Sequence, residues 1–210
     1  MGARYRYWVA DTLGGELRGE IPLSGVSFSK VYNGTGTLEG KAAARHPDTA
    51  KLVPVLRSLY VTRGRRCVWG GVLWTATQAT GSLEVEVGAA EFGSLFEQRR
   101  LKVDRSYSAW SKPAIAADLV EFAQSVHPDA DYGIATTVQG TAPATTVRNY
   151  LGGDRVTFLD LVRNLANTRD GYAYDFRVDL LSTGFQRRFV ARYPQTRRIA
   201  LRVAQRLFAG

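Results

Sequence analysis

The sequence predicts an α+β fold in which an antiparallel β-barrel or sandwich comes first and a small α/β unit follows. Two observations lead to this prediction. Short alternating stretches bounded by turn residues fill the first half, and apolar residues at helical spacing occur only in the second half. We expect residues 1–104 to form the β domain, residues 105–181 the α/β domain, and residues 182–210 a further strand with a basic C-terminal tail.

The N-terminal stretch RYRYWVAD predicts the first strand, with Tyr5, Tyr7 and Val9 on one face. Gly14-Gly15 predicts a hairpin turn, because glycine adopts positive φ at little cost, and the ELRGEI stretch after it alternates again. VSFSK and TLEGK predict two more strands, and Asn33-Gly34 is typical of a turn between them. The chain is therefore expected to start as a series of hairpins.

A short helix is predicted to interrupt the strands at HPDTAKLVP. Asp48 is expected to cap this helix and Pro54 to limit it, because proline removes a backbone donor. Strands resume in SLYVTRGRRCVWGGVLWTATQ, with a turn at Arg63-Gly64-Arg65. SLEVEVGAAEF then alternates, which predicts a half-buried strand with Glu84 and Glu86 on its solvated face.

The stretch VWGGVLWTATQ contains two tryptophans and two adjacent glycines. Trp69 and Trp74 are an odd number of positions apart, so a regular strand would point them to opposite faces. We expect Gly70-Gly71 to lie at a bulge or tight bend, and Val72 and Trp74 to pack in the core; a bulge here would add a residue and bring both rings to one side.

Two helices are predicted in the second half. The first begins at Lys112-Pro113, ends at Pro128 and has the apolar stripe Ile115, Leu119, Phe122 and Val126. Thr157 is expected to cap the second, whose stripe is Phe158, Leu161, Val162 and Leu165. LKVDRSYSAW is predicted to be a polar transition, residues 131–151 to form interrupted strands, and YAYDFRVDL to form a strand.

The net charge of +9 is unevenly distributed. Gln186 to Gly210 contain seven arginines and no acidic residue. Because these account for seven of the 28 basic residues, the rest of the chain carries 21 basic against 19 acidic groups. The body is therefore close to neutral, which argues against nucleic-acid binding by the body.

The sequence predicts no metal or cofactor site. Cys67 is the only cysteine and is expected to be a small buried hydrophobic residue. With His46 and His127 the only histidines, a Cys/His metal cluster is not expected. Asp129 and Asp131 fall short of the fixed set of ligands that a calcium loop needs.

The chain is also predicted not to be an enzyme. Glu84 and Glu86 have no associated cleft signal, and His127 before a proline is expected to be a cation at a helix end. GTGTLEG lacks the following Lys-Ser/Thr of a phosphate loop, and no nucleophile elbow is present. No stretch approaches the roughly 18 apolar residues of a membrane span, and the N-terminus lacks the apolar region of a signal peptide.

Three segments together resemble the minor tail proteins of long-tailed actinobacterial phages and prophages. They are YRYWVADTLGGELRGEIPLSGVSFSKVYNGTGTLEG, VWGGVLWTATQATGSLEVEVGAAEFGSLFEQRRL and TFLDLVRNLANTRDGYAYDFRVD, and the resemblance covers residues 4 to about 193. More broadly, the chain is similar to the baseplate-hub or tail-tip family, whose members combine β-barrels with α/β insertions. Family members continue past FVARYPQT to complete a second barrel, so a second barrel is expected here to be truncated or incomplete.

The resemblance implies a structural protein of the virion tail, made in the host cytoplasm. It implies contacts with copies of itself in a ring, commonly a trimer, and with distal tail, tape-measure and other tail-tip proteins, and it implies no cofactor. We expect RCVWGGVLWTATQ and SLEVEVGAAEF to lie at or next to the ring contact, through strand edges or by packing of barrel on barrel. The α/β unit, Lys112 to Leu181, should project from that contact or cover one face of it.

Two other functions are considered. In RRIALRVAQRLFAG, apolar Ile199, Val203 and Leu207 share a helical face beside arginines, so the tail could bind nucleic acid or another anionic surface. Against this, the body lacks the aromatic and basic face of a single-strand binder. A cell-wall hydrolase is the third possibility, but it needs an acid or cysteine/histidine constellation that the sequence does not contain.

Overall fold

A computed structural model describes residues 4–126 and 131–195 of the chain. The first half forms one seven-stranded antiparallel sheet, in the order β2-β1-β5-β6-β7-β4-β3. Its strands are β1 Tyr5–Asp11, β2 Leu17–Glu20, β3 Ser24–Phe28, β4 Thr37–Ala43, β5 Arg57–Arg63, β6 Arg66–Thr77 and β7 Glu84–Glu91. The hairpins that the alternation predicted are confirmed, including the β1–β2 turn, where Gly14 and Gly15 both have positive φ.

The sheet is curled but not closed. β2 and β3 lie at opposite edges, yet only residues 21–23 connect them. Because a chain extends by at most about 3.6 Å per residue, this connection spans no more than about 14 Å and the two edges must lie near each other. Hydrogen bonding nevertheless ends at β2 and β3, so the predicted barrel is not confirmed, and the fold is α+β with an open, curled sheet.

An inner core fills the curl. Its buried members are Val9, Ile21, Val26, Leu38, Ala42, Leu52, Leu59, Val61, Trp69, Leu73, Val85, Val87 and Ala89. Every strand of the sheet except β2 contributes to it, as alternation requires when one face is apolar. The other face of β1, β5 and β6 contributes Ala10, Tyr60 and Val72 to a second core shared with the rest of the chain.

The second half surrounds a three-stranded sheet of order β11-β12-β9. The remaining elements are α1 Gly93–Glu97, β8 Arg105–Trp110, α2 Lys112–Ser125, β9 Ile134–Gln139, β10 Thr146–Tyr150, α3 Phe158–Ala166, β11 Ala173–Leu181 and β12 Gly184–Arg192. β12 pairs antiparallel with β11 and parallel with β9, while β8 and β10 form a separate two-stranded ribbon. Residue 181, the predicted end of the α/β segment, ends the first strand of the β11–β12 hairpin.

Both predicted helices are confirmed. Thr157 caps α3, since its Oγ1 accepts the backbone N–H of Asp160 at 3.2 Å. α2 begins at Lys112 as predicted and ends at Ser125; Pro128, the predicted stop, lies outside the described residues. Among the described residues no helix, not even the 14-residue α2, has the length and apolarity needed to cross a membrane.

Two predictions about local structure are wrong. LKVDRSYSAW is not merely a polar transition, because it contains β8, and Tyr107 in that strand is buried with its hydroxyl donated to Asp118 at 2.6 Å. Asp48 does not cap the short helix, which is the 3-10 helix Pro47–Lys51. His46 caps it through Nδ1, which accepts the Asp48 N–H at 3.2 Å.

The two glycines of β6 do not form a bulge. Gly70 pairs regularly with Tyr60 and Gly71 with Leu59, and the register shifts lie outside them, at Val68 and at Trp74. The glycines are needed for close packing instead. A Cβ on Gly70 would lie 2.6 Å from the Val178 Cγ2 of β11.

The two tryptophans consequently lie on opposite faces, as their spacing in a regular strand predicts. β6 runs regularly from Trp69 to Leu73, so no extra residue changes the alternation between the rings. Trp69 is 1% exposed in the inner core, and its Nε1 donates to the Ser29 carbonyl at 3.1 Å. Trp74, expected to be the buried ring, is only partly buried and donates to Ser94 Oγ at 2.9 Å.

Candidate functional site

A buried arginine joins the two halves of the molecule. Arg187 of β12 is 3% exposed, and its guanidinium donates to Tyr60 Oη at 2.8 Å and to the carbonyls of Thr12 (2.5 Å), Tyr132 (2.7 Å) and Asp11 (2.8 Å). The charge also lies 4.6 Å from the centroid of Phe92. A buried charge is tolerated only when its donors are satisfied, so these acceptors fix β12 against β1 and β5.

Aromatic stacking adds to this junction. Tyr60 of β5 and Phe185 of β12 are parallel within 4°, with centroids 4.1 Å apart. Burial raises the pKa of the Tyr60 phenol, so its hydroxyl stays protonated while its oxygen accepts from Arg187. We call the set of contacts around Arg187, Tyr60 and Phe185 the junction.

A loop of the first half covers the outer edge of β11. Asn33 Oδ1 accepts the Tyr174 N–H at 2.8 Å, its Nδ2 donates to the Tyr172 carbonyl at 3.4 Å, and Tyr174 Oη donates to the Asn33 carbonyl at 2.8 Å. The same loop is held by buried Glu91, whose Oε2 accepts the Gly36 N–H at 2.8 Å. Burial raises the pKa of the Glu91 carboxyl to about 7. Asn33 therefore occupies backbone groups of β11 that a neighbouring strand would otherwise bind. It also connects the first half of the chain to the second.

A side-chain amide also covers the outer edge of β9. Gln124 of α2 accepts the Ile134 N–H at 3.0 Å and donates to the Ile134 carbonyl at 2.9 Å. At these points both outer edges of the three-stranded sheet are blocked without another strand. In the described part of the chain, no further strand pairs with the outer edges of β2 and β3, with the β8–β10 ribbon, or with the remaining length of β9 and β11.

The predicted contact strands lie in the middle of the large sheet. β6 and β7 pair with each other as expected, but β5 and β4 occupy their other edges, so neither strand has an edge for a neighbouring copy. Another copy could therefore contact β6 and β7 only through a face of the sheet. On β4 and β7 that face carries Glu39, Lys41, Glu84 and Glu86, with Lys41 and Glu84 paired at 2.7 Å, and it includes a shallow depression of about 460 Å³. The predicted solvated face of Glu84 and Glu86 is confirmed.

The structure assigns ordinary roles to the other residues that the sequence singled out. Cys67 is partly buried, its Sγ contacts the Trp69 carbonyl at 3.2 Å, and burial raises the pKa of its thiol to about 12. Asp131 accepts the Gly133 N–H at 2.9 Å. Asp129 and His127 lie outside the described residues. The described chain contains no group of three or more metal-ligating side chains.

Three of the seven C-terminal arginines belong to β12 and not to a tail. Arg187 is in the junction, Arg188 pairs with Asp179, and Arg192 pairs with Asp175 at 2.9 Å. The sequence does not reveal these roles, because in it the three arginines are continuous with the basic C-terminal tail. The other four, Arg197, Arg198, Arg202 and Arg206, lie outside the described residues, as does the predicted apolar stripe beside them.

No protein-family model matches the chain, and no curated protein matches it. Solved structures do share its architecture. The tail protein from Neisseria meningitidis MC58 aligns with a TM-score of 0.56 at 12% identity, over 89% of this chain and 50% of its own. The 43 kDa tail protein of prophage MuSo2 from Shewanella oneidensis aligns with a TM-score of 0.54 at 12% identity, over 89% and 54%.

This chain has a phage-tail-protein fold. A third similar structure is the E. coli c3393 protein, a component of the type VI secretion system with structural similarity to the T4 bacteriophage tail proteins gp27 and gp5. It aligns with a TM-score of 0.53 at 14% identity, over 81% of this chain and 46% of that protein. The chain therefore spans about half the length of these proteins.

Proposed function

We propose that the chain is a structural minor tail protein of the baseplate hub or tail tip of a phage or phage-tail-like particle. In this role it connects the tail tube to the tip or fibres. The supporting observation is the likeness to two tail proteins, with TM-scores of 0.54 and 0.56 over 89% of this chain. An actinobacterial host is part of the proposal and rests on the sequence resemblance alone.

The junction suits a load-bearing role. Arg187, Asn33 and the Tyr60–Phe185 stack tie the curled sheet to the three-stranded sheet at several points. Directional hydrogen bonds of this kind fix the orientation of two packed units and not only their contact. We propose that the chain acts as a scaffold without catalysis of its own.

We further propose that copies of the chain form a ring, commonly a trimer, which contacts distal tail, tape-measure and other tail-tip proteins. The docking surfaces are the outer face of β4 and β7 and the open edges of β2 and β3. A closed ring with head-to-tail contacts needs two different surfaces on each copy, and the curled sheet offers both a polar face and open edges.

Light scattering coupled to size exclusion tests the ring. The full chain is expected to elute at three times its 23.1 kDa mass, and the E84K/E86K variant at the monomer mass. E121K/D154K makes the same charge change at exposed positions of the second half and should keep the trimer. A wild-type monomer at all concentrations, or loss of the trimer only on substitution in the β8–β10 ribbon, contradicts the ring contact through the curled sheet.

Electron microscopy of particles tests the location. Particles that carry an epitope-tagged chain should bind gold-labelled antibody at the distal end of the tail, and untagged particles should not. Label along the whole tube or at the head would contradict a tail-tip position. A tape-measure gene directly upstream of this gene would be further support.

A further inference from the structure

A groove of about 550 Å³ lies between the C-terminal end of α2 and the segment that leads from α1 into β8. Arg99, Arg100 and Lys102 line one side of it. The apolar side chains Val103, Phe122, Val126 and Phe158 line the rest. This volume is within the range of ligand sites, and the groove lies outside the strands assigned to the ring contact.

The cationic wall of the groove is held in place by the fold. The Arg99 guanidinium donates two hydrogen bonds to Tyr132 Oη, at 2.7 and 3.0 Å. It also donates to the carbonyl of Ala123, a residue near the C-terminal end of α2, at 3.2 Å. The Leu101 N–H donates to the Val156 carbonyl, and the Phe158 N–H to the Arg99 carbonyl, both at 3.0 Å. The backbone of this segment and the Arg99 side chain are therefore in place before any ligand arrives, which lowers the entropic cost of binding.

The cations of the groove have no counter-charge in the described part of the chain. Arg99, Arg100 and Lys102 form no ion pair with any described carboxylate; Glu97, close to them in sequence, pairs with Arg163. Asp118 binds Arg105 and the Tyr107 hydroxyl, and Asp104 Oδ1 accepts the Gly152 N–H at 2.8 Å. Within residues 4–126 and 131–195, the three cations therefore lie beside an apolar floor without an ion-pair partner.

We propose that this groove binds a segment of a partner protein in which carboxylates alternate with apolar side chains. The carboxylates would pair with Arg100 and Lys102, and the apolar groups would cover Val103 and Val126. Such pairs are charge-assisted, and the apolar contacts exclude water from them. The proposal goes beyond the proposed function and does not require the ring.

Other occupants fit the groove less well. Nucleic acid needs free aromatic faces for stacking, but the Arg105 guanidinium covers one face of Phe122, 4.3 Å from its centroid, and Phe158 packs beside it. The chain's own residues 196–210 carry four arginines and no acidic residue, so the groove repels them.

Fluorescence anisotropy with the full chain tests the proposal. The probe is a short fluorescein-labelled peptide that alternates aspartate and glutamate with leucine and phenylalanine, and its control replaces the acids by asparagine and glutamine. The acidic peptide is expected to bind, and the amide peptide to bind at least about tenfold more weakly, because it cannot form charge-assisted pairs. Binding should weaken as sodium chloride is added, because salt screens exposed charges.

A pair of charge-reversal variants locates the site. R100E/K102E alters exposed side chains, so it should fold normally while binding the acidic peptide at least about tenfold more weakly. R65E/R66E makes the same charge change at exposed positions in and beside the β5–β6 turn, and should bind like the wild type. Val103→Ser should weaken binding a few-fold through lost apolar contact.

The outcomes separate this proposal from its competitors. Equal affinity for both peptides, no binding of either, or equal loss in the two double variants overturns it. A single-stranded oligonucleotide that binds more tightly and displaces the peptide shows that the groove is a nucleic-acid site. If R100E/K102E instead reduces the oligomer mass, a second copy occupies the groove, and the proposal fails while the ring remains.

Discussion

Inside the curled sheet Trp69 packs among aliphatic side chains, whereas at the junction Arg187 packs among aromatic rings and carbonyl oxygens. The inner core gains stability from apolar burial, which depends little on direction. The junction depends on donors and acceptors that match one another, and each partner removed leaves a buried polar group unsatisfied. The difference teaches that stability and orientation are set in different places: the inner core keeps the sheet folded, and the junction fixes how the second half sits on it.

The largest effect is expected in the inner core. Trp69→Ala should lower the free energy of unfolding by about 3–5 kcal/mol, because the ring is fully buried and leaves a cavity. Trp74→Ala, the same change in the same strand on a partly buried ring, should cost about 1–2 kcal/mol. Urea denaturation measures both, and equal losses would contradict the placement of the two rings on opposite faces.

The next effect concerns the junction. Arg187→Met keeps much of the side-chain volume but removes the donors to Tyr60 and to three carbonyls, so it should cost about 3 kcal/mol. Arg188→Met removes only a partly exposed pair with Asp179 and should cost less than about 1 kcal/mol. Limited proteolysis should cut Arg187→Met faster between the halves. Equal stability of the two variants would show that the junction contributes nothing.

A smaller effect tests the close approach of β11 to β6. Gly70→Ala should cost about 2 kcal/mol, because its Cβ would overlap Val178 and the Tyr60 ring, and these must shift. Making room with the double substitution Gly70→Ala/Val178→Ala should recover part of that loss in the same denaturation experiment. Gly153→Ala, where a Cβ meets nothing within 4 Å, is the matched control and should change stability little.

The smallest effect is a pH dependence. Burial raises the folded-state pKa of Glu91 to about 7, above its ordinary value of 4.5, so the folded state prefers the protonated carboxyl. Its contribution to stability is full below about pH 4.5 and is lost as the pH rises from there through about 7, because above its unfolded-state pKa the unfolded state releases the proton more readily. Lys30 and Asp175 are the charged groups that act on it. Glu91→Gln should remove this component of the melting-temperature profile from pH 5 to 8, whereas exposed Glu39→Gln should not.

The strands of the first half were predicted well, although not their arrangement in an open sheet, because alternation is a local signal. Thr37, Glu39 and Lys41 are exposed and Leu38 is buried as the period of two requires, and Thr157 caps α3 because capping depends on neighbours three residues away. The bulge at Gly70-Gly71 was predicted wrongly because two adjacent glycines indicate either a bulge or close packing, and only the position of Val178 decides between them.

The junction could not be predicted in the same way. Arg187 meets Tyr60 across 127 positions of sequence and Asp11 across 176, and nothing beside it in β12 distinguishes it from Arg188. Burial of a charge depends on partners that tertiary folding supplies. The groove could not be predicted from the sequence for the same reason. The segment with Arg99, Arg100 and Lys102 forms a groove only where α2 packs opposite it. Phe122 of α2 and its C-cap residue Val126 provide that opposite side.

The amides of Asn33 and Gln124 at the outer edges of the three-stranded sheet have a consequence for a protein made in many copies. An uncovered edge strand can pair with the same strand of another copy, and repeated pairing of this kind builds a fibre. A side-chain amide ends the hydrogen-bond ladder, because it binds the edge strand but presents no second backbone edge to which another strand could pair. At these two points the three-stranded sheet therefore offers no free backbone group to a strand of another copy.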